Sequence, residues 1–322
     1  MSLQQLYPLI GEDMKAVDAV IRRRFCSDVA LIRQVAEYIV AGGGKRLRPA
    51  LLLMAAKTFG YQGEEHHELA AVVEFIHTAT LLHDDVVDES DLRRGRDTAN
   101  KMFGNAASVL VGDFLYSRAF QMMVQTGRMR VMQVLADATN IIAEGEVLQL
   151  MNCHDPNVDE ANYLQVIHHK TAKLFEAAAQ LGAIVADAPP EMEEGLSRYG
   201  MYLGTAFQLI DDVLDYSGDE ADTGKHLGDD LAEGKPTLPL IYVMRHGTDD
   251  QAACVRHAIE GGGRDDFPAV LAAIRASNAL EHTRSRAQEA ANQAKAAISI
   301  LPDSQYKKTL LELAVFAVER SH

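Results

Sequence analysis

Tryptophan is absent from this chain, cysteine occurs three times, proline nine times, and aromatic residues make up only 6% of it. Cys26, Cys153 and Cys254 are odd in number, widely separated and in no CxxC pair, so they support neither a disulfide framework nor a zinc knuckle and suit a reducing compartment. Positive charge is the minority: 31 Lys+Arg against 46 Asp+Glu leave a net charge of −15, the wrong sign for binding a nucleic acid backbone, and no nucleic acid partner is expected. Any polyanion it handles must be met by local cations or metal. The opening MSLQQLYPLIGEDMK has no basic n-region and no long apolar h-region, and apolar runs such as 49–56 fall far short of the ~18 residues of a membrane span. A cytoplasmic protein without a transmembrane segment is expected. With 322 residues, 48% of them apolar, a large core is within reach.

Gly and Pro punctuation gathers in clusters (42–49, 60–63, 93–104, 152–156, 187–190, 217–239, 246–250, 261–268 and 302–304), and the stretches between are rich in Ala, Leu, Met, Gln and Glu. Segments such as 171–186 and 282–301 carry apolar residues at helical spacing with charges opposite, and alternating β-branched runs are scarce. The pattern predicts an all-α protein. No composition shift divides it, so a single domain over 1–322 is expected. Residues 69–87 and 202–215 are apolar nearly all round, as helices in the middle of a large bundle are.

Both of those helices end in carboxylates, and the two ends are nearly the same text: TATLLHDDVVD at 78–88 and TAFQLIDDVLD at 205–215. On a helix Asp84 and Asp88 share a face at i,i+4 with Asp85 about 100° round, and Asp211, Asp215 and Asp212 repeat that arrangement. Acids at the negative end of the helix dipole, facing each other in a protein interior, call for a cation. An all-oxygen ligand set suits Mg²⁺, whose shell is commonly completed by substrate phosphates and water. The basic loops to match are present: Lys45, Arg46 and Arg48 in GGGKRLRP, Arg93 and Arg94 just beyond Asp88, and Lys225 and Lys235 in GKHLGDDLAEGKPTLP.

With these motifs the sequence resembles the trans-prenyltransferases, the head-to-tail polyprenyl diphosphate synthases. The resemblance runs in order through GGGKRLRP, EFIHTATLLHDDVVDESDLRRG, GNAASVLVGDFL, GEVLQL, KTAKLF, GTAFQLIDDVLDY and GKHLGDDLAEGKPTLP, and is strongest to the bacterial long-chain members that make octaprenyl chains for quinones. It implies a large helical bundle of the isoprenoid synthase type with a central cavity, and a homodimer. It implies that Lys45, Arg48, His77 and Arg94 bind isopentenyl diphosphate. Asp84, Asp85, Asp88, Asp211, Asp212 and Asp215 would hold Mg²⁺ on the allylic diphosphate, probed most naturally with farnesyl diphosphate, and Arg93, Lys170, Thr171, Gln208, Lys225 and Lys235 would line that diphosphate and the reacting carbon. His77 lies two turns before Asp84 and Gln208 one turn before Asp211, a spacing that aims both toward the claws.

The expected reaction is ionisation of the allylic C–O bond as cations neutralise the departing diphosphate, attack by the isopentenyl double bond, and loss of a proton to the released diphosphate. An apolar shaft would hold the growing chain, which is expected to pass to a membrane as product. Small residues one turn before Asp84, Ala79 and Thr80, leave the shaft open; Ile76, Val73 and Val72 follow about 12–18 Å from Asp84 at 1.5 Å per residue, and Met123 with Met122 is the expected floor. Three other readings compete: a di-iron bundle on the E-x-x-H pairs Glu64–His67 and Glu74–His77, which leaves the basic loops without a task; a synthase of shorter or longer product; and a non-catalytic subunit of a heteromeric synthase, against which both intact aspartate motifs argue.

Overall fold

The computed structural model describes residues 7–93, 95–217, 227–261 and 265–320. Helices dominate: among the described residues strand is confined to a two-residue pair, β1 (Leu92–Arg93) antiparallel to β2 (Arg96–Asp97). The all-α expectation holds. The chain forms two compact units, one of Met1–Thr139, Leu174–Gly200 and Ala297–Leu313, the other of Asn140–Lys173, Met201–Ala296 and Ala314–His322.

In the first unit α1 (Tyr7–Arg24) and α2 (Ala30–Ala41) precede α3 (Leu47–Thr58), whose Leu51, Leu52, Leu53, Met54, Ala55 and Ala56 are all fully buried. A helix apolar on every face lowers its free energy only where neighbours cover every face, and α1 and α4 (Glu65–Val87) pack against it. The glycine-rich punctuation at 42–49 runs further into structure than its composition implies, because Leu47 opens α3 and places Arg48 and Pro49 in its first turn. Proline is tolerated there, since a first-turn N–H has no intrahelical acceptor to lose.

The helix α4 lies along α6 (Asn105–Gln125), the two being linked by the hairpin and α5 (Ala99–Phe103). Gly112 makes this approach possible: a Cβ there would fall 2.3 Å from Nε2 of His83. At the other end of α4 the Asp13 carboxylate of α1 gathers Lys57 Nζ at 3.3 Å, His66 Nε2 at 3.2 Å and His67 Nε2 at 2.8 Å. Burial, then the His67 beside it, pushes the His66 pKa down to about 4. Burial alone would raise the Asp13 pKa, but the histidine and Lys57 contacts outweigh it and the net shift is downward. His67 of the first E-x-x-H pair turns to Asp13, and Glu74 of the second pairs with Arg46.

In the second unit the last stretch of α10 (Pro190–Ser217) is anchored by Leu209, Ile210 and Leu214, which pack with Tyr163 and Ile167 of α8 (Glu160–Ile167) and with Leu238 and Ile241. These buried side chains fix the roll of α10 and so decide which way its acids point. Helix α8 passes directly into one π-helical turn, His168–Ala172, before α9 (Lys173–Val185). Gly145 of α7 (Met129–Asn152) accommodates that turn, for a Cβ on it would stand 2.7 Å from the backbone N of Lys170.

Candidate active site

The first aspartate triad closes α4, with Asp88 as its C-cap. Asp84 and Asp88 are half-buried, whereas Asp85 is only 3% exposed. Its Oδ1 accepts from Arg93 Nε at 2.8 Å and lies 2.6 Å from Arg93 Nη2. The two-residue strand β1 exists to deliver that arginine, and the amide of Asn100 braces the turn by donating to the Asp85 carbonyl at 3.1 Å. Burial works against the Arg93 charge, but the Asp85 charge and hydrogen bond more than compensate and raise its pKa. Arg94 lies outside the described residues, as does Lys225.

In the same unit the structure brings Arg48 to His77, with Nη1 to Nε2 at 3.3 Å, and lays the Arg48 guanidinium over the Phe175 ring at 4.2 Å. Lys45 stands in the turn just before, where Gly43 at φ +62° and Arg46 at φ +47° reverse the chain. Arg46 itself is spent on Glu74. The chain-length candidates Ala79, Ile76 and Met123 are fully buried, and Thr80 is half-buried with its hydroxyl donating to the His77 carbonyl at 2.8 Å.

The second triad has the same burial rhythm and different partners. Asp211 and Asp215 are half-buried and Asp212 is 1% exposed. Asp211 Oδ1 accepts from Arg320 Nη2 at 2.7 Å; that arginine also donates to the Phe207 carbonyl at 2.6 Å and stacks on the Phe207 ring at 3.6 Å. Among the described residues the hydrogen-bond partners of Asp212 are neutral: Tyr163 Oη donates to its Oδ2, and Gln208 Nε2 donates to its Oδ1 at 2.9 Å. Burial, then the charge of nearby Asp230, pushes the Asp212 pKa well up, and burial together with Asp212 does the same to the Tyr163 phenol. Gln208 therefore turns toward Asp212 and toward Thr171, whose hydroxyl donates to Gln208 Oε1 at 3.1 Å. Asp215 Oδ2 accepts from the backbone N–H of Asp230 at 3.4 Å.

Lys170 of the π turn pairs with Glu146 at 2.6 Å, and Lys235 with Glu233 at 2.5 Å. Oriented to accept, the Gln149 side-chain oxygen lies 3.2 Å from Lys170 Nζ and 3.3 Å from Lys235 Nζ, so two cations distant in sequence converge on one amide. Each of these lysines is held by a glutamate here, and both ammonium groups are of the kind that meets a phosphorylated ligand.

The chain matches the family described as Polyprenyl synthetase over residues 29–275. The chain belongs to the polyprenyl synthetase family. Octaprenyl diphosphate synthase of Escherichia coli K12 is 57% identical over 321 residues, 99% of each chain, and all-trans-nonaprenyl-diphosphate synthase (geranyl-diphosphate specific) of Rhodobacter capsulatus is 45% identical over 98% of each. A polyprenyl synthase of Caulobacter crescentus, solved with calcium and isoprenyl diphosphate, superposes with a TM-score of 0.96 at 47% identity, covering 100% of this chain and 98% of that one. This polyprenyl synthetase is accordingly a trans-prenyltransferase of the long-chain class with the isoprenoid synthase fold. No helix among its described residues is long and apolar enough to cross a membrane.

Sequence reasoning singled out most of the charged groups of this polyprenyl synthetase but passed over Tyr163, Glu146, Gln149 and the part Arg320 plays. Three of them had visible signals: Glu146 and Gln149 sit in the GEVLQL motif, and Arg320 is the basic residue near the chain's end. Tyr163 stands two helical turns before Lys170, a spacing that places it on the face that α8 shares with the π turn.

Proposed function

We propose that this enzyme extends farnesyl diphosphate head-to-tail with isopentenyl diphosphate to octaprenyl diphosphate for quinone side chains, with Mg²⁺ as its metal and one domain spanning 1–322. The observation that carries the reading is the twice-built presentation of outer acids: Asp84 with Asp88, and Asp211 with Asp215, are half-exposed carboxylates at i,i+4, while the middle acid of each triad is drawn inward. All-oxygen pairs of this kind fit Mg²⁺. Asp85 and Asp212 complete the proposed set of six: both contacts of Asp85 with Arg93 fall on Oδ1, and each oxygen of Asp212 accepts one hydrogen bond, so lone pairs remain on both acids. Bound there, Mg²⁺ would neutralise charge on the departing diphosphate.

The chain's own residues do the rest. Lys170 and Lys235, with Arg93, hold the allylic diphosphate; Lys45, Arg48 and His77 hold isopentenyl diphosphate, with the Phe175 ring keeping the Arg48 guanidinium in place. Thr171 and Gln208 present neutral oxygens where positive charge develops on carbon. The product's length is set along α4, where Thr80 is the partly exposed small residue one turn before Asp84. A second copy of the chain is the partner. Chromatography of the products formed by the purified chain from farnesyl diphosphate, isopentenyl diphosphate and Mg²⁺ tests the reading: octaprenyl diphosphate is expected, and the absence of any extended product overturns it.

A further inference from the structure

Tyr163 is buried on α8, and a buried phenol needs a hydrogen-bond partner, so a contact from its hydroxyl is by itself unremarkable. Its partner is unusual. The phenol donates to Asp212, the inward acid of the second triad, rather than to a nearby backbone carbonyl. Asp212 in turn accepts from Gln208 Nε2 at 2.9 Å, and that bond removes the ambiguity of a terminal amide: with its NH₂ turned to the carboxylate, its oxygen must face the other way. There it accepts from the Thr171 hydroxyl at 3.1 Å, which commits the Thr171 proton and leaves that oxygen's lone pairs directed elsewhere. Thr171 itself belongs to the π turn, a backbone form that recurs at functional sites and that lacks the ordinary helical bonds to hold it.

We infer that Tyr163 is a positioning residue for the allylic site, acting through Asp212 to set the orientation of the Gln208 amide and, through it, the Thr171 hydroxyl. The inference rests on the reading of Gln208 and Thr171 given under Proposed function. Each link is a donor facing an acceptor of defined polarity, so the relay has one consistent direction, from phenol to carboxylate and from threonine to amide to the same carboxylate. Asp212 is the shared acceptor at its middle. Removal of the phenol oxygen frees one carboxylate oxygen to turn, and the Gln208 amide then loses its fixed sense.

The test compares the full-length wild type with Tyr163→Phe, Gln208→Ala and the double variant, assayed with farnesyl and isopentenyl diphosphates and followed by exchange of the Gln208 side-chain amide protons. Tyr163→Phe should lower kcat/KM for the allylic substrate about tenfold, the upper range for one lost hydrogen bond, and leave the KM for isopentenyl diphosphate within about twofold. The double variant should be no worse than Gln208→Ala alone, because residues acting in series do not add. The Gln208 amide should exchange about tenfold faster in Tyr163→Phe than in wild type. A structural role would leave the exchange unchanged and make the losses multiply, and either result overturns the inference. Incorporation of 3-fluorotyrosine at 163, which keeps the ring and acidifies the phenol, should shift the Gln208 amide resonance, and covers a phenylalanine variant that fails to fold. A wild-type chain that extends no allylic diphosphate would strike the functional reading, while the amide exchange would still decide the relay.

Discussion

DDVVD at 84–88 and DDVLD at 211–215 differ by one aliphatic residue, and in both the outer acids are half-buried while the middle one is almost wholly enclosed. What encloses it differs. Asp85 is met by the guanidinium of Arg93; Asp212 is met, among the described residues, by a phenol and an amide, in surroundings that push its pKa up. The outer acids are inverted in the same way, since an arginine reaches Asp211 in the second triad where Arg93 serves the inner acid of the first. One helical text thus yields one claw organised by an ion pair at its centre and another organised by neutral hydrogen bonds at its centre with an ion pair at its edge. A helix repeats its own geometry wherever its sequence repeats, but the groups that satisfy it come from other segments.

The comparison breaks first at the outer acids. Asp84→Ala and Asp211→Ala should each lower kcat by at least ~100-fold, the scale of losing a preorganised charge stabiliser, in steady-state assays with Mg²⁺; near-normal turnover of either folded variant would remove that triad from the site. Next come the cations of the first unit. Arg48→Ala should raise the KM for isopentenyl diphosphate by a factor corresponding to about 1.5–3 kcal/mol, and Lys45→Ala similarly, with a smaller change for the allylic substrate; equal effects on both substrates would erase the division into two diphosphate sites.

The middle acids sharpen the contrast most directly. Asp85→Asn removes the acid that hydrogen-bonds Arg93 and should cost about 1.5–3 kcal/mol in thermal or urea unfolding, below the full cost of a broken buried pair because Arg93 is partly exposed and the charges of Asp84 and Asp88 still act on it. Asp212→Asn keeps an acceptor for Gln208 and gains a donor that the Tyr163 oxygen can accept, and should cost less than about 1 kcal/mol. Equal costs would show that the two centres are electrostatically alike. Thr80→Tyr should shorten the product to about one or two units beyond the starter, read by chromatography, without a large stability loss; Ala79→Tyr, forced into a fully packed position, should destabilise the fold as well.

A separate, gradual effect is the pH dependence of the first unit. The His66 pKa is depressed in the folded state from 6.5 to about 4, so neutral His66 stabilises the fold above pH 6.5 and that contribution falls away as pH drops toward 4. The loss should amount to roughly 1–2 kcal/mol between pH 7 and 5, detectable in urea titrations and removed in His66→Gln. Asp13, with its pKa lowered, adds a second loss in the same direction, below its ordinary value of 3.8.

The helical class, the two apolar helices at 69–87 and 202–215 and the acids at their ends were legible because periodicity and spacing are properties of a segment alone. The cluster of basic residues at 42–49 was legible only as composition: that Arg46 goes to Glu74 while Arg48 goes to His77 and Phe175 depends on where α3 starts and how it rolls against α4. Lys170 and Lys235 stand 65 positions apart in the numbering and meet at Gln149, a convergence to which neither local pattern points.

By itself, then, the sequence determined which helices form, where carboxylates repeat at i,i+4, and which charges are available to face them, since each follows from a few consecutive residues and the 3.6-residue turn. Only the tertiary structure decided which acid turns inward and what it finds there. The burial of Leu209, Ile210 and Leu214 sets the roll of α10, and that roll, rather than anything in DDVLD, brings Asp212 to a tyrosine 49 positions away and Asp211 to an arginine near the chain's end. A buried polar atom takes whichever partner packing delivers, because leaving it unpaired costs about 1–3 kcal/mol whatever the partner's distance along the chain.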